Sequence, residues 1–180
     1  NAEFRRDIEG WAKIAKRIYI WDYTTDYSHY FLPWPNLDVL VPNTKFFTDH
    51  KMHGVFEQGS HTTRAACFAP IKMWVLAKAQ WNPDADGNAL LKEFVEGYYG
   101  PAAPAMKKYI DILHAPFRAS PEEALGINAP LSSKYLSPTL LADAEAALRQ
   151  AEQAAAGKPD LEPRLRAAHL PVWYVLAKRG

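Results

Sequence analysis

Cysteine is almost missing from this chain of 180 residues. Cys67 is the lone thiol, so no intrachain disulfide can form and there is no basis for a cysteine-built zinc site. A single Cys leaves the compartment open, because secreted bacterial proteins can also lack disulfides. Runs of Lys or Arg are missing too, and the formal net charge is only +1. Nucleic-acid partners are therefore not expected, since neutralising phosphates takes clustered cations. No apolar run is long enough to span a bilayer and no signal peptide is recognisable at the start, so no membrane partner is expected either. A Gly-rich phosphate cradle is lacking: Gly97-Tyr98-Tyr99-Gly100 reads as a helix end, and Ser28 and Ser60 have no nucleophile-elbow motif around them. No cofactor is expected. The chain opens on Asn1-Ala2-Glu3-Phe4, already in a helical pattern, which is what a fragment or trimmed piece would show.

What is abundant is aromatic. Phe, Trp and Tyr make up 13% of the residues, with 6 Trp and 9 Tyr. Such rings are first of all large core fillers. Carbohydrate sites also use flat rings as platforms, so the surplus points mildly that way. The length fits one domain or one and a half. The 48% hydrophobic and 23% charged residues are an ordinary globular balance.

Phe4, Ile8, Trp11 and Ala15 recur at helical spacing and predict a helix over 3–17. Ile18 to Tyr23 (IYIWDY) is short, β-branched and aromatic, which predicts a buried strand. Residues 24–35 are polar, aromatic and proline-bearing, hence a long loop. Leu37, Leu40, Val41 and Phe47 predict a helix over 36–51, with Pro42 early enough to be tolerated. Gly54 to Gly59 (GVFEQG) reads as a second short strand. Strand, loop, helix, strand is a βαβ unit with a crossover long enough for parallel pairing. Two strands do not make a stable sheet alone. The rest of the sheet is therefore expected outside this sequence or on another chain.

After Gly59 the pattern becomes helical. Helices are predicted over 64–81, 88–99 and 101–113. A connection over 120–137 follows, then a Ser-capped, alanine-rich helix over 138–156 and a last helix over 161–178 that Pro171 should kink. The composition divides the chain near Thr63 into a βα part (1–63) and a helical part (64–180). The expected class is α/β to mainly α.

Asp22 and Glu57 are the leading candidates for chemistry. Each stands near the C-terminal end of its strand, the end where parallel α/β sheets and barrels bind ligand. Neighbouring strands lie about 5 Å apart, which brings the two carboxyls into the range of glycosidase pairs, about 5–9.5 Å. The alternative is that each acid caps a loop or pairs with a base such as Arg64. Around Asp22 cluster Trp21, Tyr23, Tyr27, Tyr30, Phe31 and Trp34, and loop residues are seldom all core. Rings beside carboxylates suit pyranoses: the C–H faces stack while the hydroxyls find acceptors. Trp34, between Pro33 and Pro35, could equally plug the end of a barrel. His50-x-x-His53 and His61 raise a metal, but exposed helix-end histidines explain them as well. Asn82 to Glu93 (NPDADGNALLKE) matches a calcium loop except at its first position, with Asn82, Asp84, Asp86 and Glu93 as ligands. The same residues suit an interhelical turn and an N-cap. Cys67 falls within a predicted helix and reads as inert.

At IYIWDYTTDYSHYFLPWPNLDVLVPNTKFF, GVFEQG and WVLAKAQWNPDADGNALLKEFVEGYYGPAA, the chain resembles the bacterial family catalogued as domain of unknown function 4838. The resemblance covers about residues 4–113; the last third matches only as generic helices. It implies a glycoside-hydrolase-like (β/α)8 barrel, akin to hexosaminidase-like and α-glucuronidase-like barrels, followed by a helical region. IYIWDY would be a late strand and GVFEQG the last. Glu57 would then hold sugar hydroxyls, with the proton-transferring acid on an earlier strand absent from this sequence. Trp21, Asp22, Tyr23, Trp34, Glu57 and Gln58 are the expected substrate-binding residues. Glu57 and Asp22 are also the only candidates here for a catalytic role. The implied partners are a carbohydrate and the remainder of the barrel, with a periplasmic or secreted location. The rivals are a non-catalytic helical carbohydrate-binding or interaction module and a calcium-stabilised helical domain.

Overall fold

The computed structural model describes residues 2–63, 65–120 and 122–180. In chain order it runs α1 (Ala2–Ile14), β1 (Tyr19–Tyr23), α2 (Leu37–Asp49), β2 (Gly54–Gln58), α3 (Ala69–Trp81), α4 (Gly87–Tyr99), a 3-10 turn (Gly100–Ala102), α5 (Ala103–Ala119), α6 (Pro138–Ala154) and α7 (Glu162–Arg179). The class is α/β to mainly α, as expected.

β1 and β2 pair in parallel, with Ile20 opposite Val55, Asp22 opposite Glu57 and Tyr23 opposite Gln58. Side chains alternate along a strand, so residues of like parity share a face. One face carries Ile20 and Val55, which pack with Ile8 of α1 and Phe47 of α2 in a small core. The other face is open: Tyr19, Trp21 and Phe56 are 67%, 63% and 56% exposed. A parallel sheet is normally covered on both faces, and this one is covered on one.

The larger core joins Leu32, Leu37, Leu40 and Val41 to side chains from α3 through α7, among them Ile71, Val95, Tyr109, Ile110, Leu148 and Val175. Packing therefore runs across the composition boundary at Thr63: α2 belongs to the sheet through Phe47 and to the helical core through Leu40 and Val41.

Several element ends differ from the sequence reading, each for a local reason. α3 starts at Ala69 rather than 64, because Phe68 takes a left-handed conformation, φ 57°. That conformation is unfavourable for a bulky side chain, and here it buries the ring against Tyr109 and His114. Arg64, offered above as a partner for the acids, lies outside the described residues. α5 extends through Pro116 to Ala119. α7 is one continuous helix with Pro171 buried inside it. Asp86 caps α4 by accepting the amides of Asn88 and Ala89, and Ser137 caps α6 by accepting that of Leu140. α2 is capped from a distance: the Nε2 of His114 on α5 accepts the amide of Leu37 at 3.1 Å, while its Nδ1 donates to the Ile110 carbonyl at 2.8 Å. Among the described residues no helix is long and apolar enough to cross a membrane.

Candidate functional site

Asp22 and Glu57 stand side by side, register partners one residue short of the C-terminal ends of two adjacent parallel strands. Both are half-buried. Asp22 accepts the Tyr23 amide at 2.8 Å, which favours its ionised form, while burial works against the charge and leaves its pKa raised. Glu57 has less help. Its Oε2 is shielded from solvent and has no hydrogen-bond partner among the described residues. Burial, and then repulsion from Asp22, push its pKa up to about 7. Both carboxyls are pushed upward, and Glu57 stays protonated toward neutrality. Chemically this is one acceptor beside one carboxyl that can donate or accept near pH 7.

The expectation that the acids and the aromatics form one hollow meets the alternation of the strands. Asp22 and Glu57 have the parity of Ile20 and Val55, on the helix-covered face. Trp21, Tyr23 and Gln58 have the opposite parity. On that open side the Trp21 indole donates to Gln58 Oε1 at 2.6 Å and meets Phe56 edge-on. A sugar lying flat on Trp21 would not bridge both carboxylates; only a ligand across the strand tips could reach both sets.

Above the tips lies the loop between β1 and α2. The Gln58 carbonyl gathers three donors from it: the Thr24 amide (3.0 Å), the Thr24 hydroxyl (3.0 Å) and the Tyr27 phenol (2.7 Å). Tyr23, Tyr27 and Tyr30 follow one another edge to face, and the Tyr30 hydroxyl meets Nδ1 of His61 at 2.7 Å. These phenols form the rim over the strand ends. Phe31 leans on Tyr174 of α7. Trp34 is not on the rim: it is 4% exposed, its indole donates to the Gly126 carbonyl at 3.1 Å, and the Lys72 ammonium stands over its ring. Its ring is sealed within the fold, away from the residues at the strand tips with which it was grouped above.

The metal candidates do not converge. His50 bonds to the Phe46 carbonyl, His53 packs edge-on against Tyr19, and His61 is with Tyr30. In the loop after α3, Asp84 pairs with Lys45 at 2.8 Å, Asn82 accepts the Asp84 amide, Asp86 caps α4, and Glu93 points outward from α4. Among the described residues no three His, Cys, Asp or Glu side chains come together as a metal set. Cys67 is a buried free thiol whose pKa burial raises; its sulfur accepts the Trp34 amide.

One organising residue escaped the sequence reading. Asp26 is fully buried and its carboxylate accepts the amides of His29 (2.6 Å) and Ala129 (2.5 Å). Next to it the Tyr27 amide bonds to the Ile127 carbonyl, and Ser28 bonds to Asn128. The connection read as a plain linker is a strap across the tyrosine loop. The nearest sequence signal is a charged residue in an aromatic-rich stretch, which says nothing of a partner about a hundred residues away.

In comparison with known proteins, the family model described as Domain of unknown function (DUF4838) matches residues 1–111. No curated protein and no solved structure matches the chain.

Proposed function

The chain belongs to the DUF4838 family, and from that premise we propose that it supplies part of the sugar-binding site of a glycoside-hydrolase-type protein. The observation that carries the reading is the register of Asp22 beside Glu57 at the tips of parallel neighbouring strands, the position where such sheets hold ligands. In this role the two carboxyls take up hydroxyl hydrogen bonds, and the tyrosine rim of Tyr23, Tyr27 and Tyr30 supplies apolar faces. Gln58 and Trp21 approach from the open side of β1 and β2. Glu57, protonated up to about pH 7, has a donor to offer as well as acceptors. It is the first candidate here for proton transfer, with binding as its basic role.

The open aromatic face supports the second half of the proposal. Tyr19, Trp21 and Phe56 are too exposed for a finished parallel sheet, so β1 and β2 are read as the last two strands of a (β/α)8 barrel whose other strands cover that face. The carbohydrate and the remaining strands are the proposed partners.

The test is Glu57→Ala and Glu57→Gln in the full-length protein, assayed for hydrolysis of, and affinity for, a panel of polysaccharides and oligosaccharides. A loss of tenfold or more in affinity or turnover for at least one glycan is expected. Unchanged affinity and turnover across a panel that the parent protein does recognise would sink the assignment.

A further inference from the structure

We propose that Lys72 is a positioning residue for the strand-tip site: its buried ammonium closes the base of the β1–α2 loop and so fixes where Tyr27 and Tyr30 stand. This rests on the reading of the strand tips as a ligand site.

Lys72 sits in the first turn of α3, 3% exposed. A lysine in that setting is unusual, because an ammonium withdrawn from water is costly unless its donors are used. Here they are used on one target. Nζ donates to the Thr24 carbonyl at 2.9 Å and to the Trp34 carbonyl at 3.3 Å, and it stands 5.0 Å from the centre of the Trp34 ring. Thr24 and Trp34 are the two ends of the loop. Thr24 is also the residue whose amide and hydroxyl bond to Gln58 at the tip of β2. One side chain on α3 thus connects both ends of the tyrosine loop to each other and, through Thr24, to the end of the strand bearing Glu57.

The same turn holds the middle of the loop. The Cys67 amide donates to the Tyr30 carbonyl at 3.1 Å, and the Cys67 sulfur accepts the Trp34 amide at 3.4 Å. Phe68, in its left-handed conformation, marks the point where the chain turns from these contacts into α3. The start of α3 is therefore an anchor plate for the loop, with Lys72 as the residue that spans it. An apolar side chain of the same length would fill the space without donating, which leaves the buried Thr24 carbonyl unpaired and the Trp34 carbonyl with the Asn36 amide alone.

The experiment is hydrogen exchange on the full-length protein carrying Lys72→Met or Lys72→Arg, with Lys72→Gln replacing the methionine variant should that one not fold. Backbone amides from Thr24 to Trp34 should exchange tenfold or more faster in the methionine (or glutamine) variant, those of α5 and α6 should be unchanged, and the arginine variant should recover much of the protection. Unchanged exchange in the loop, or equal acceleration everywhere, overturns the proposal. Affinity for xylo-, cello- and chito-oligosaccharides is measured in parallel, and a fivefold or greater loss with α5 and α6 intact is expected wherever the parent protein binds. If the parent binds none of them, the sugar-site reading is what suffers, and the exchange result still decides the role of Lys72.

Discussion

A carboxyl lodged beside another carboxyl responds to pH in the opposite sense to one held by an arginine. The folded pKa of Glu57 is raised from 4.5 to about 7, so its contribution to stability is fully present below pH 4.5 and is lost as pH rises toward 7, beyond which it is level. Asp38 behaves the other way: the Arg118 guanidinium bonded to it lowers its pKa, so its stabilisation is lost in acid. Glu57→Gln should remove the first of these effects. Above pH 7 the variant should be more stable than the parent by about 2 kcal/mol, allowing for solvent screening of a half-buried group, and the gap should close toward pH 4.5. Urea unfolding midpoints across that range are the measurement; parallel curves for the two proteins would contradict the assignment. The pairing of Asp22 with Glu57 could be read from the sequence, because two short β-branched and aromatic segments around a helix imply parallel neighbours. The sequence reading grouped Asp22 and Glu57 with Trp21, Tyr23 and Gln58, and the period of two along each strand sets them on opposite faces. Asp26 could not be read, since its partners arrive from a segment with no pattern of its own.

At the scale of elements, the loop between α3 and α4 sets a calcium pattern against a capping pattern, and the side chains follow the second. Asp86 is engaged with the first turn of α4 and Asp84 with Lys45. Asp86→Ala should cost about 1 kcal/mol, the usual value of an N-cap. Adding millimolar calcium or a chelator should leave the melting temperature in place; a calcium-dependent rise would restore the metal reading. Helix ends were legible where a side chain terminates the helix, as at Asp86 and Ser137. They were illegible where the backbone is bent by distant packing, as at Phe68, whose left-handed turn is held by Tyr109 and His114. No local propensity predicts that a phenylalanine will take it.

Over the whole molecule, two cores share α2. The helical core holds together through its own apolar contacts, whereas the sheet leaves one face of Tyr19, Trp21 and Phe56 in water. The 180-residue chain alone should therefore bind a hydrophobic dye such as ANS, and Trp21→Thr combined with Phe56→Thr should cut that fluorescence by half or more. A full-length protein in which other strands cover the face should bind much less dye than the shorter chain. Equal signals from all three would mean that the face is not the source. Composition could mark the helical region but not the sharing of α2, because Leu40 and Phe47 look alike as apolar positions until their opposite neighbours are known.

The strap across the tyrosine loop has a further consequence, one of timing. The carboxylate of Asp26 waits for the amide of Ala129, 103 residues later in the chain. On a ribosome adding about 5–20 residues per second, that is an interval of roughly 5–20 s. For most of it β1 and β2 are already made, while the loop above them has one of its two sides missing. During synthesis the rim of the candidate site is completed well after the strands beneath it, and a nascent chain stalled between residues 58 and 129 would carry both acids under a loop not yet strapped in place.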